Sequence, residues 1–322
     1  MLPEFHHVAV ALRRASSIVV CAHVRPDGDA IGSVLGLTLA LRENGFAAVP
    51  TLADAEDPPA TYSFLPGFGL YVPAAELSPP DVFIALDTPV IDRLGDAAQL
   101  AQSAKTLVVL DHHPDCCDYG SVKVADTTAA ATAQIVWRLC STFDRAPSRD
   151  VAQCCYVGMI TDTGRFSYDN TSAAALRDGA AMLDTGVDAA EVSRLVYQNR
   201  SASSLALEAR VMSRLVTVNH GRVACSWVTD KDFAETGALR TESESLPDAI
   251  RVLGGIDAAV LLGQRGDEIR VNLRSKTGAD VGGVARSFGG GGHRAASGFT
   301  WTGTDRDELL AQLLPLLPGG QA

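Results

Sequence analysis

The sequence predicts an α/β protein: a doubly wound, mostly parallel sheet followed by a smaller α+β domain. Two observations carry this. In the first half, short runs that are apolar throughout alternate with helical patterns, and a strand covered on both faces needs such a run. In the second half a hairpin signal replaces that rhythm. A length of 322 residues suits two domains.

Residues 17–24 (SIVVCAHV) read as a buried strand. The strand runs into the polar turn RPDGDA and a helix over residues 31–43, stopped by Asn44–Gly45. AAVPTLA, residues 81–87 and residues 106–113 supply three more strands, and VKVADTTAA opens another. Helices follow over residues 130–140 and 149–160, the second ending in TDTGRFSY. Between Thr185 and Ser204 the chain shows short polar helices and few strand signals. The domains are therefore placed at 1–185 and 205–322, with a connection over 186–204. In the second domain RVACSWVT is a strand, and AAVLLGQRGDEIRVNLRS a hairpin turning at Arg265–Gly266–Asp267. Helices are expected over residues 246–253, 281–288 and 306–316.

A hydrophobic fraction of 47% and a charged fraction of 20% exclude a disordered chain. No apolar run is long enough to span a bilayer, and the first residues lack a secretory pattern, so a cytoplasmic address is expected. Seven cysteines, an odd number lying mostly in apolar stretches, argue against a disulfide scaffold, and the lack of a CxxC spacing argues against zinc or thioredoxin-like chemistry. The formal charge of −11 argues against electrostatic coating of long nucleic acid. A phosphorylated substrate would need local positive charge, from metal ions and a few arginines. Lysine occurs only at Lys105, Lys123, Lys231 and Lys276. Arginine suits bidentate phosphate recognition, though a GC-rich genome accounts for its excess more simply.

The acids and histidines fall in a pattern. His23, Asp27 and Asp29 follow the first strand, Asp87 closes the third, and Asp111, His112 and His113 close the fourth. Asp162 follows a helix. Three of these four groups lie at carboxyl ends of strands, where ligands bind in doubly wound sheets. Taken singly, DGD is ordinary turn chemistry and a strand-end aspartate an ordinary helix cap. Convergence of all of them favours divalent cations. Carboxylates with imidazoles suit manganese better than magnesium. A carboxylate such as Asp87 can bridge two ions about 3.5–4 Å apart, which clamp both oxygens of an in-line displacement.

The run GGGGHRAASG has its own logic. Glycines let backbone N–H groups approach an anion, and HRAAS reads as a helix start that adds a positive dipole end. His293 can donate to a phosphate oxygen, and Arg274 and Ser275, at a strand end, can meet the same anion.

In order and spacing, AHVRPDGDAIGS, ALDTP, the Asp111–His113 triplet and GMITDTGRF resemble the four motifs of the DHH phosphoesterase family. GGGGHRAASGF resembles the glycine-rich motif of the DHH-associated C-terminal domain, so the likeness covers nearly the whole chain. The resemblance implies two Mn2+ ions, with other divalent metals as the alternative. His23, Asp27 and Asp87 would hold one. Asp29, Asp87, His112 and Asp162 would hold the other. It implies that Asp111 orients a neighbouring histidine and that His113 faces the scissile phosphate, which makes His113, Asp111 and Asp87 the catalytic set. Arg274, Ser275, Gly290, Gly291, Gly292 and His293 would bind the substrate's terminal phosphate or nucleotide, the resemblance placing the α+β domain across a cleft from the metals.

Within the family, single-strand DNA exonucleases carry an extra nucleic-acid-binding domain, and manganese pyrophosphatases a different C-terminal domain. Membrane cyclic-dinucleotide phosphodiesterases carry transmembrane segments. The resemblance thus points to the branch that degrades very short RNA, dephosphorylates adenosine 3′,5′-bisphosphate, or hydrolyses cyclic di-AMP and pApA to 5′-mononucleotides. Actinobacterial members resemble the last kind. The expected partner is a short nucleotide or cyclic dinucleotide, with no long nucleic acid and no membrane, and the expected assembly is a homodimer. A cyclic-dinucleotide sensor without turnover and an exonuclease on longer strands are the alternatives.

Overall fold

The computed structural model describes residues 4–320 apart from 55–57, 115, 117 and 293. The chain forms two compact units, Met1–Asn199 and Arg200–Ala322.

The first unit contains α1 (Phe5–Arg13), β1 (Ile18–Cys21), α2 (Gly28–Glu43), β2 (Ala48–Pro50), β3 (Val82–Leu86), α3 (Ala98–Gln102), β4 (Thr106–Asp111), β5 (Val122–Ala125), α4 (Thr132–Cys140), α5 (Arg149–Asp162), α6 (Ala173–Asp184) and α7 (Ala189–Tyr197). Its five strands are all parallel, in the order β2-β1-β3-β4-β5. Alternate residues serve opposite faces. Val20, Ile84 and Leu110 join the core under α2, α4 and α5, whereas Val19, Phe83 and Val109 join the core under α3. Burial on both faces is why these runs show no polar alternation.

Helix α2 is buried along most of its length and packs on α5 with almost no gap. A Cβ on Gly32 would lie 2.4 Å from the Cys154 carbonyl oxygen, so only glycine permits this approach. The close crossing sets the start of α2 beside the end of α5. The strand order reverses between β1 and β3, and such a switch point opens a crevice at the carboxyl edge.

The second unit contains α8 (Ala202–Ser213), β6 (Val216–Val218), β7 (Val223–Val228), α9 (Asp230–Thr236), α10 (Leu246–Arg251), β8 (Ala258–Arg265), β9 (Glu268–Ser275), α11 (Val281–Ser287), β10 (Gly291–Gly292), β11 (Ala296–Thr302) and α12 (Arg306–Leu313). The mixed sheet runs β10-β11-β9-β8-β7-β6, antiparallel except between β7 and β8. Phe299, Leu273 and Val281 form one core with α12, and Leu207, Leu246 and Ile250 another on the far face.

One expectation is corrected here. The segment after the glycines does not start a helix: β11 pairs with β9 over seven residues. Phe299 is buried and stacks on Phe288 at 4.4 Å between ring centroids. Alternating aromatics with threonines between them, FTWT, fit a pleated surface better than a helix. Among the described residues, no helix is long and apolar enough to cross a membrane.

Candidate metal centre

The site begins with the way β1 and β3 end. After β1, His23 faces the Val24 carbonyl oxygen through Nδ1 at 2.8 Å, which leaves Nε2 to face the acids. Asp27 is the N-cap of α2, and its Oδ1 accepts from the backbone N–H groups of Asp29 and Ala30, both at 3.0 Å. Its Oδ2 lies 4.0 Å from His23 Nε2. After β3, Asp87 adopts a left-handed φ of 53°. For a residue with a Cβ this conformation costs about 1–2 kcal/mol, least for Asp and Asn. It divides the carboxylate between two neighbourhoods. Oδ2 lies 3.3 Å from His23 Nε2, and Oδ1 lies 3.6 Å from His112 Nε2.

The other half of the cluster is fixed by helix ends. Asp29, in the first turn of α2, accepts from the N–H groups of Thr132 and Ala133 at 2.7 and 2.8 Å, where the N-terminus of α4 favours negative charge. Asp162, the last residue of α5, lies 3.7 Å from His112 Nε2. His112 Nε2 is also 4.0 Å from Asp29 Oδ2. Three sets of side chains therefore have ligand atoms within 4.8 Å of one another: His23, Asp27 and Asp87; Asp29, His112 and Asp162; and Asp87, His112 and His113. Asp111 is fully buried beside them, bonded to His113.

Charge in this cluster is unbalanced. Among the described residues, no lysine or arginine pairs with Asp27, Asp29, Asp87, Asp111 or Asp162. Burial, then the charges of Asp87 and Asp162, pushes Asp29 well above the usual carboxylate range. Burial and the charges of Asp27 and Asp87 do the same to Asp162. For Asp87, burial acts upward, yet the His23 hydrogen bond and the charges of His113 and the other imidazoles hold it well below that range. Burial lowers His23 and His112, and the neighbouring acids outweigh it and raise both. Such an excess of buried carboxylate calls for cations. Oxygen and imidazole donors without thiolate fit hard-to-borderline divalent ions.

The second unit places the other predicted residues around a hairpin. Gly291 and Gly292 form β10 and pair with Gly298 and Ser297. A Cβ on Gly290 would lie 2.3 Å from the Gly298 carbonyl oxygen, so glycine is needed for close packing there. Arg274, at the end of β9, is engaged by Asp248. Ser275 is buried, and its hydroxyl has no hydrogen-bond partner among the described residues. His293 lies outside the described residues.

Two contributors were missed in the sequence. Thr132 donates its hydroxyl to Asp87 Oδ1 at 2.9 Å as well as its N–H to Asp29. Asn170 donates Nδ2 to Asp162 Oδ2 at 3.3 Å and to the Ala130 carbonyl at 2.9 Å. Neither lies in a run that signals a ligand. The glycines at 28, 32 and 36, spaced four apart in an apolar helix, were a legible sign of close helix packing.

Residues 17–159 match the DHH family, N-terminal domain, and residues 221–317 match the DHHA1 domain. A Thermus thermophilus protein named bifunctional oligoribonuclease and PAP phosphatase NrnA is 32% identical over 299 residues, covering 92% of this chain and 88% of that protein. Its namesake from Bacillus subtilis is 30% identical over 308 residues, covering 92% and 93%. An exopolyphosphatase-related protein from Bacteroides fragilis superposes with a TM-score of 0.90 at 25% identity, over 97% of this chain and 96% of that one.

Proposed function

The chain belongs to the DHH family of phosphoesterases, and from that premise we propose that it uses two bound Mn2+ ions to hydrolyse short nucleotide phosphodiesters to 5′-mononucleotides. It is a hydrolase of phosphoester bonds. Very short oligoribonucleotides and adenosine 3′,5′-bisphosphate are its first candidate substrates, because relatives over 88% and 93% of their length are named for those activities. Cyclic di-AMP and pApA carry the same 3′–5′ phosphodiester as very short RNA, whereas adenosine 3′,5′-bisphosphate offers a 3′ phosphomonoester to the same centre.

The observation that carries this reading is the divided carboxylate of Asp87, 3.3 Å from His23 on one side and 3.6 Å from His112 on the other. In this reading His23 and Asp27 complete one ion's ligands, and Asp29, His112 and Asp162 the other's. Bound ions would supply Lewis acidity and a lowered water pKa. The chain does the rest. Thr132 and Asn170 hold the carboxylates of Asp87 and Asp162 in place. His113, fixed by Asp111, donates from its ring to the phosphoryl oxygens as charge grows there. The hairpin residues Gly290, Gly291 and Gly292, with Arg274, Ser275 and His293, hold the nucleotide by its terminal phosphate.

A turnover panel in manganese tests it: cyclic di-AMP, pApA, adenosine 3′,5′-bisphosphate and RNA of two to twenty-four nucleotides. Rates should peak at the shortest substrates. Rates that climb with length would sink the proposal.

A further inference from the structure

We propose that Arg93 is a phosphate-contacting residue that engages the oxygens of the scissile phosphoryl group beside His23. This inference rests on the function proposed above. Arg93 lies in the 3-10 segment Ile91–Ala97, which follows Asp87. Its carbonyl oxygen accepts from the N–H of Val24 at 2.8 Å, next to His23 in the chain. The segment is pressed onto that loop, for a Cβ on Gly95 would lie 2.6 Å from Val24 Cγ1. Arg93 is thus held between the chain leaving β1 and the chain leaving β3, the two segments that carry His23, Asp27 and Asp87.

Arg93 differs from its counterparts in what it lacks. Arg138, Arg200, Arg214, Arg251 and Arg274 are also half-buried, and each pairs with a carboxylate. Among the described residues the half-buried Arg93 guanidinium has no hydrogen bond or ion pair, although its backbone is held beside the segment that carries His23. A half-buried guanidinium left unpaired is costly unless a ligand completes it. The planar fork matches two oxygens of one phosphoryl group. The carboxylates would hold cations, and Arg93 would meet the anion that such cations attract.

The test compares Arg93→Gln and Arg93→Lys with the wild type in three measurements on the full chain. These are calorimetric binding of 5′-AMP to manganese-loaded protein, kcat/KM on pApA, and manganese stoichiometry with the thermal midpoint. Arg93→Gln should weaken AMP binding and lower kcat/KM at least tenfold, with stoichiometry and midpoint unchanged. Arg93→Lys, which keeps charge and loses the fork, should fall between. AMP affinity and kcat/KM within twofold of wild type would overturn the proposal, as would a loss that tracks reduced manganese stoichiometry. If AMP binding depends on Arg93 but the wild type turns over no nucleotide, Arg93 stands and the proposed function falls.

Discussion

Asp111 Oδ1 receives two hydrogen bonds from one residue, His113, from its backbone N–H and from ring Nδ1, both at 2.7 Å. A carboxylate accepts, so Nδ1 carries a proton and Nε2 is the nitrogen left for a ligand. Burial pulls the His113 pKa down, and the Asp111 bond with the charges of Asp87 and Asp111 outweighs it and raises the pKa. The imidazolium is therefore lost only as pH rises through a value above the ordinary 6.5. In metal-free Asp111→Asn, that loss should come at lower pH. A ring-proton NMR titration reads it, and an unchanged midpoint would refute the pairing.

Thr132 should matter as much as a ligand. Thr132→Val keeps the shape of a buried side chain and removes the hydroxyl that holds Asp87. Losing such a support typically costs 10–100-fold in metal affinity. Manganese titration should show a loss in that range, with Thr132→Ser near wild type. Equal affinities in Thr132→Val would mean the hydroxyl is idle.

Asp87→Asn should fold and abolish hydrolysis. Asparagine tolerates the left-handed φ of 53° and keeps the volume, but it cannot supply two charged oxygens. Asp87→Ala should be equally inactive and less stable, by about 1 kcal/mol of backbone strain. Substantial residual turnover in manganese by either variant would remove the two-ion assignment.

The glycine hairpin offers an internal contrast. Gly290→Ala drives a methyl against the Gly298 carbonyl and Phe299, whereas a Cβ on Gly291 meets nothing within 4 Å. Overpacking of this kind costs about 1–3 kcal/mol. Calorimetry should show Gly290→Ala lowering the unfolding midpoint and Gly291→Ala leaving it in place. Equal midpoints would mean that the hairpin is not packed as described.

Acid should loosen the second unit through Asp232. Arg214 grips both its oxygens at 2.6 Å, and Thr229 adds a capping box. Arg214, against the opposing effect of burial and aided by Thr229, holds the carboxyl well below its usual range. A depressed folded-state pKa contributes stability above the unfolded value, near 3.9, and loses it as pH falls below that. The gap in stability between wild type and Asp232→Asn should be full at pH 7, begin to shrink only below about pH 4, and go on shrinking as pH falls further toward the depressed folded-state value. A gap independent of pH would show that the ion pair is not its source.

The fold was legible where burial is two-sided. Runs such as VFIAL have no polar face, and their alternation with helical patterns is what points to a parallel sheet between helices. The site was legible in its ligand types, because acids and histidines clustered at strand ends. What the sequence hid is contact across distance. Nothing in TTAAATAQ marks Thr132 as a partner of Asp87, since that bond depends on how α4 meets β3. The segment HRAAS looked helical because its composition is helical; the pairing partner that makes β11 a strand lies over twenty residues upstream. Arg93 is marked by no motif of its own, only by a carbonyl bound to Val24.

The two ligand sets do not become available together during synthesis. His23, Asp27 and Asp87 are all in place once β3 has left the ribosome, whereas Asp29 and His112 must await Asp162 at the end of α5. At roughly 5–20 residues per second that wait lasts several seconds. On the proposed two-ion reading, a nascent chain thus carries one group of candidate ligands before the other is complete. Ion capture at the first can anchor β1 to β3 while the remaining strands are still being made.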